Sequence, residues 1–308
     1  MKYSGFFLFF VYNKHVNQNK GGIRSHRTSR SMKQRKQTSY LTKLLCLLFV
    51  CVLASSNIQP SVLNAKVVNL DPKAAVVDMY SGEQIAMAEF KSGGSTHTHQ
   101  YIITQAVQIL KNDQGSSIFN KAAYLSSLKT YTDWPDKVGN ESDTATYAGH
   151  FYNPYTGKNW MGQTSPTALS RAVSYYNKAV TAYKSGDVAA AIEYIGKGSH
   201  YVGDLNEPHH ASNLTALNSN HSAFEKYVDE NRTSFYISGN TFDDEVYLEA
   251  KNFTTTKILK DGAFYAYDLK YMAQDEDTYY EAGKLCVQHA IMNTVQYFYK
   301  FGVQVGIF

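Results

Sequence analysis

Residues 187–210 read DVAAAIEYIGKGSHYVGDLNEPHH, and how this stretch can fold sets the class of the chain. Asp187 stands where a helix N-cap belongs, since its carboxylate can accept from the free N–H groups of a first turn. From Val188 to about Leu205 apolar residues recur at helical spacing. The helix has to stop before Pro208, whose ring lacks a donor and restricts the residue ahead of it. On that helix His200 and Asp204 are four residues apart, so they share one face, about 5–6 Å apart at Cβ, close enough to flank one ion. The break at Pro208 lets His210 turn back toward the same pocket.

Further windows show the same period. One holds Tyr101, Ile102, Ala106, Ile109 and Leu110, and ends near Asn112–Gly115. Another runs from Ser165-Pro166 to about Lys184, closed by Ser185-Gly186. Residues 222–235 and roughly 278–301 continue the series, and 237–275 has room for one or two more helices. Strand-like alternation is weak, no internal repeat is evident, and polar linkers occupy 113–118 and 136–165. The expectation is an all-α protein, a single multi-helix domain.

The formal charge of +4 is an average over unlike parts. Ten basic residues and no acid lie in residues 1–65, which leaves 20 basic against 26 acidic beyond them. An acidic body argues against a nucleic-acid partner, since phosphate binding rests on clustered Lys and Arg. Hydrophobic residues at 44% and aromatics at 14% exclude a disordered chain. The apolar run Leu44–Ala54 is shorter than the about 20 residues a membrane span needs. It follows a basic stretch and ends in small residues, the layout of a secretory signal. Residues 32–65 therefore read as a signal peptide cut after Ala54 or Ala65, and 1–31 as an upstream basic extension outside the fold. Secretion removes Cys46 and Cys51, leaving Cys286 with no disulfide partner and metal as an alternative staple.

Seven of the ten histidines fall within residues 97–221. A second helical pair, His221 with Glu225, joins His200 with Asp204. One such pair alone is more often a surface link than a ligand pair. Two within 26 residues, amid further histidines, point to a metal site. Imidazole nitrogens and carboxylate oxygens without thiolate suit catalytic zinc. His289 has no carboxylate four residues away and reads as an ordinary histidine.

Four blocks together resemble the secreted bacterial zinc-dependent phospholipases C across about residues 90–300. They are Thr98–Ala106 (THQYIITQA); Trp134-Pro135-Asp136 followed by Tyr147–Pro154 (YAGHFYNP); His200–His210 (HYVGDLNEPHH); and His221–Asp229 (HSAFEKYVD). The resemblance implies a helical domain with three zinc ions in a cleft. Asp136, His150, His200 and Asp204 would bind one, His210, His221 and Glu225 a second, and His99 with bridging Asp204 the third. His97 and His209 fall out of register, and the Pro-Asp context favours Asp136 over Asp133. The implied activity is hydrolysis of the glycerol-side phosphodiester of phospholipids, giving diacylglycerol and a phosphorylated head group. Asp136 would orient or deprotonate the attacking water. Tyr147 could hold a choline cation against its ring, and Glu89 falls on a substrate-contact position. A phospholipid surface is the implied partner, and the protein a secreted, extracellular monomer.

Two departures from that pattern stand out. The family's mature chain opens with a Trp whose amino group ligates the third zinc, and ungapped spacing puts Ala86 there. Either 66–85 is a pro-segment and 86–308 the catalytic domain, or the third site is built differently or empty. The resemblance covers the catalytic domain up to Phe308, and the expectation is a member without the C-terminal β-sandwich of the toxin-type members. The alternatives are a zinc-dependent single-strand nuclease, which usually has Trp-Asp where this chain has Phe224-Glu225, and a non-catalytic metal-stabilised surface protein.

Overall fold

A computed structural model of the protein describes residues 96–308. The signal segment, the upstream extension, the pro-segment and Glu89 lie outside the described residues. Within them the chain is all-α, with no strand and only one isolated bridge, Asn153 to Lys158. The helices are α1 Thr98–Gln114, α2 Ala122–Thr132, α3 Ala168–Lys184, α4 Val188–Leu205 and α5 Pro208–Ser212. They continue with α6 His221–Asn231, α7 Asp244–Asn252, α8 Thr255–Asp268 and α9 Tyr279–Val305.

The stretch quoted first forms the central helix. Asp187 accepts from Ala190 N at 2.9 Å and caps α4 as its position suggested. Beyond Ala191, α4 is buried almost continuously to Leu205 because α2, α3 and α9 pack around it. α3 shows why it lies against α4: Ala168, Ala172, Tyr175, Tyr176, Ala179 and Val180 form a buried stripe at helical spacing. The 27-residue α9 buries Cys286, Val287, Ala290, Ile291 and Phe298 against the other helices. Cys286 is a free, fully buried thiol. No helix among the described residues is long and apolar enough to cross a membrane.

Three elements differ from the sequence reading. Helix α2 was not expected, because AAYLSSLKTYT buries only Leu128 and Thr132 and carries no apolar stripe. The chain after α4 does not simply break: Pro208 occupies the first turn of the new helix α5, where its missing N–H costs nothing. The linker at 133–167 is long but tied down. Arg171 of α3 bonds the Asp143 carboxylate and lies 3.4 Å from Glu141, and Asp143 also accepts from Gly149 N. That clamp fixes the turn Ala148–His150.

Candidate metal centre

The donors come from six separate segments and converge beside the C-terminal half of α4. His99 opens α1, Asp136 follows α2, and His150 ends the clamped turn. His200 and Asp204 lie on α4, His210 on α5, and His221 and Glu225 on α6. Each placement has a local cause. The first turn of α1 is held from α6: Asp229 Oδ1 accepts from Thr98 N and Thr98 Oγ1, each at 2.9 Å, and Oδ2 meets His97 Nδ1 at 2.9 Å. The ring of His99 lies over Gly203, where a Cβ would stand 2.6 Å from its Nδ1. The ring also stacks on His200 at 4.2 Å between centroids. All eight side chains are shut away from solvent, with Asp136 the most open at 7%.

Hydrogen bonding sets the tautomers. His200 Nδ1 lies 2.8 Å from the Thr132 carbonyl, so it donates there, and Nε2 faces Asp136 Oδ1 at 3.0 Å and Asp204 Oδ2 at 3.3 Å. His150 Nδ1 meets His200 Nε2 at 3.0 Å, Asp204 Oδ2 at 3.1 Å and Asp136 Oδ1 at 3.6 Å. Two carboxylate oxygens facing one imidazole lone pair repel unless a proton or cation lies between them. Burial works against a charged His200, yet Asp136 and Asp204 hold its pKa well above the ordinary value. The distances, 3.0–3.6 Å, also lie near those of a metal site, because ligands about 2.0–2.2 Å from one zinc stand roughly 3.3–3.6 Å from each other in a tetrahedron.

A second set lies beside the first. His210 Nδ1 donates to the His150 carbonyl at 3.0 Å, which leaves Nε2 toward Glu225 Oε1 at 3.4 Å. His221 Nε2 stands 2.9 Å from the same Glu225 oxygen. Both Nε2 atoms are buried without a hydrogen-bond partner. His210, with a carbonyl on one ring nitrogen and an open lone pair on the other, is in the usual state of a ligating histidine. Burial lowers the pKa of both, His221 well below the ordinary range, so both rings are neutral and fit to ligate.

Asp204 links the sets. Oδ2 faces His150 and His200, while Oδ1 lies 3.5 Å from His210 Nδ1 and 3.6 Å from His99 Nε2. Burial would raise its pKa, but His200 and His210 keep it well below the carboxylate range. Burial, with His200 alongside, lowers His99 to about 3, so it too is neutral. Among the described residues, three groups offer donor atoms within 4.8 Å of one another. One holds His150, His200 and Asp204, and another His99, Asp136 and His200. The third holds His210, His221, Glu225 and one residue the sequence reading missed, Glu207. Glu207 left a faint signal. It precedes Pro208 at an N-cap, where Ser, Thr, Asp or Asn is the usual choice.

The residues set aside have partners of their own. His97 pairs with Asp229, His209 Nδ1 with Glu207 Oε1 at 2.9 Å, and Asp133 with Lys137 at 3.0 Å. His289 is buried, stacked on Tyr265 and bonded to Asn206. Tyr147 is half-buried at the edge of the cluster, in a left-handed conformation with φ of 48°. Its hydroxyl donates to the Asp136 carbonyl at 3.2 Å, and its ring meets His150 edge-on at 5.4 Å. Phe151 is buried and stacked on His210 at 4.5 Å.

Comparison with known proteins agrees with the chemistry of this donor set. A family model described as zinc dependent phospholipase C matches residues 98–272. A phospholipase C from Paraclostridium bifermentans is 28% identical over 274 residues, covering 78% of this chain and 67% of that protein. One from Clostridium perfringens is 30% identical over 234 residues, covering 67% and 58%. Among solved structures, an alpha toxin from Clostridium absonum matches with a TM-score of 0.61 at 28% identity, covering 70% of this chain and 66% of that one. The chain thus spans between about half and two thirds of the length of these relatives.

Proposed function

The chain belongs to the zinc-dependent phospholipase C family, and from that membership we propose that it hydrolyses the glycerol-side phosphodiester bond of phospholipids, phosphatidylcholine among them. The products are diacylglycerol and a phosphorylated head group. One observation carries the reading: Asp136, His150, His200 and Asp204 point ring nitrogens and carboxylate oxygens at one another, with five contacts of 3.0–3.6 Å. In this reading three zinc ions are held. Asp136, His150, His200 and Asp204 take one, His210, His221 and Glu225 another, and His99 with Asp204 helps take the third. Bound zinc supplies Lewis acidity, lowering the pKa of water toward neutrality and accepting charge from phosphoryl oxygens.

The side chains supply the rest. Asp136, the most open of the set, is the general base, and its carboxylate takes a proton from the attacking water. The water oxygen bonds to phosphorus, the phosphorus–glycerol oxygen bond breaks, and that oxygen leaves as the alcohol after gaining a proton. Tyr147 stands beside Asp136 through its bond to the Asp136 carbonyl, and its ring offers a face to a quaternary ammonium head group. Glu89 is a second proposed contact to the substrate. The enzyme acts at a phospholipid surface as a secreted, extracellular monomer, with residues 86–308 as its catalytic domain and 66–85 as a removable pro-segment. The test is diacylglycerol release from phosphatidylcholine vesicles by zinc-loaded protein. Release should stop with a chelator and return with zinc. No release at saturating zinc would overturn the proposal.

A further inference from the structure

The group around His221 contains more donors than the three-ligand assignment uses. Glu207 is wholly buried, and its Oε2 stands 3.8 Å from His221 Nε2. Together with His210 Nε2–Glu225 Oε1 at 3.4 Å and His221 Nε2–Glu225 Oε1 at 2.9 Å, this brackets the roughly 3.3–3.6 Å separation of ligands around a tetrahedral zinc. Two fully buried carboxylates, Glu207 and Glu225, therefore face the Nε2 atoms of His210 and His221. Burying such charge is costly unless it is paired or coordinates a metal.

The Glu207 carboxylate is also held still. His209 Nδ1 meets its Oε1 at 2.9 Å, and the His210 main-chain N–H donates to Oε2 at 2.6 Å. His209 is fixed in turn by Asn220 Oδ1 at 3.0 Å from its Nε2 and by stacking on His221 at 5.0 Å. The simpler alternative gives Glu207 only two roles, capping α5 and pairing with His209. Those roles leave unused the approach of Oε2, the oxygen that caps α5, to the open Nε2 of His221 at 3.8 Å. Each carboxylate oxygen has a second lone pair beyond the bond it already accepts.

We infer that Glu207 is a fourth protein ligand to the metal ion held by His210, His221 and Glu225, so that this ion is enclosed by protein donors and retained more tightly than three ligands would hold it. The inference rests on the proposed zinc reading of that group. Its test is made on the zinc-loaded protein with Glu207→Gln, which keeps an oxygen for the α5 cap and removes the ligating charge. Chelator titration, with zinc release followed colorimetrically, should show one equivalent of zinc leaving at about 10–100-fold lower chelator strength than in the parent protein. Cobalt substitution gives a second readout: the visible d–d bands of the cobalt-loaded protein should change in Glu207→Gln and remain in Lys257→Ala, a change at an exposed side chain paired with Asp261. Identical release curves and cobalt spectra for parent and Glu207→Gln would overturn the inference. A His221→Ala protein keeping its full zinc complement would instead sink the zinc reading of the group, and Glu207's role with it.

Discussion

Gly203 shows how a single atom can set a site. It lies one residue before Asp204, and any Cβ there meets the His99 ring at 2.6 Å. Gly203→Ala should push His99 off Asp204 and lower the zinc content per chain while leaving the helical circular dichroism unchanged. An unaltered zinc count would show that His99 holds no ion. Asp204 faces four histidines, so Asp204→Asn should remove more zinc than any other single change. At this scale the sequence was largely legible. His200 with Asp204 and His221 with Glu225 are i,i+4 pairs, and helix geometry alone brings such pairs to one face. Glu207 was not legible, because its role depends on how the chain turns between α4 and α5, and no periodic pattern encodes that turn.

Helices bring the donors together through ties made outside the centre. Asp229 of α6 caps α1 by accepting from Thr98 N and Oγ1. Its replacement by Ala should cost about 2 kcal/mol, a fall in Tm of roughly 4–8 °C for a domain of this size. The Arg171–Asp143 pair holds the turn bearing His150, and Gly149 has no Cβ because the Arg171 guanidinium occupies that space. Asp143→Asn leaves a mostly buried guanidinium poorly compensated and should cost about 3 kcal/mol. Burial would raise the Asp143 pKa, but Arg171 holds it below the ordinary carboxylate value. A depressed carboxyl pKa means that the stabilisation is intact above about pH 4 and is lost as the pH falls through the folded-state value. The difference in Tm between parent and Asp143→Asn should therefore shrink below pH 4, and a gap that widens there would contradict the assignment. Strong stripes such as that of α3 could be read from sequence. Helix α2 could not, since a helix that buries two residues leaves almost no pattern.

The whole molecule gathers buried charge around one end of α4 and has no disulfide among the described residues to brace it, Cys286 being free. If metal is the staple, folding and binding are linked, since ions that bind only the folded chain add stability. Adding a chelator should lower Tm by more than 10 °C, and scanning calorimetry with and without zinc would measure it. An unchanged Tm would mean that the fold stands without metal. The basic first 65 residues and the acidic remainder are two separate parts of the sequence, and the proposed chemistry belongs wholly to the second. The most direct test of that chemistry is hydrolysis of phosphatidylcholine vesicles in ¹⁸O-labelled water, read by ³¹P NMR for the phosphorus products and by mass spectrometry for the diacylglycerol. The account predicts phosphocholine carrying one ¹⁸O, unlabelled diacylglycerol, and no product from Asp136→Asn. Choline with phosphatidic acid, label in the diacylglycerol, or full activity in Asp136→Asn would contradict it.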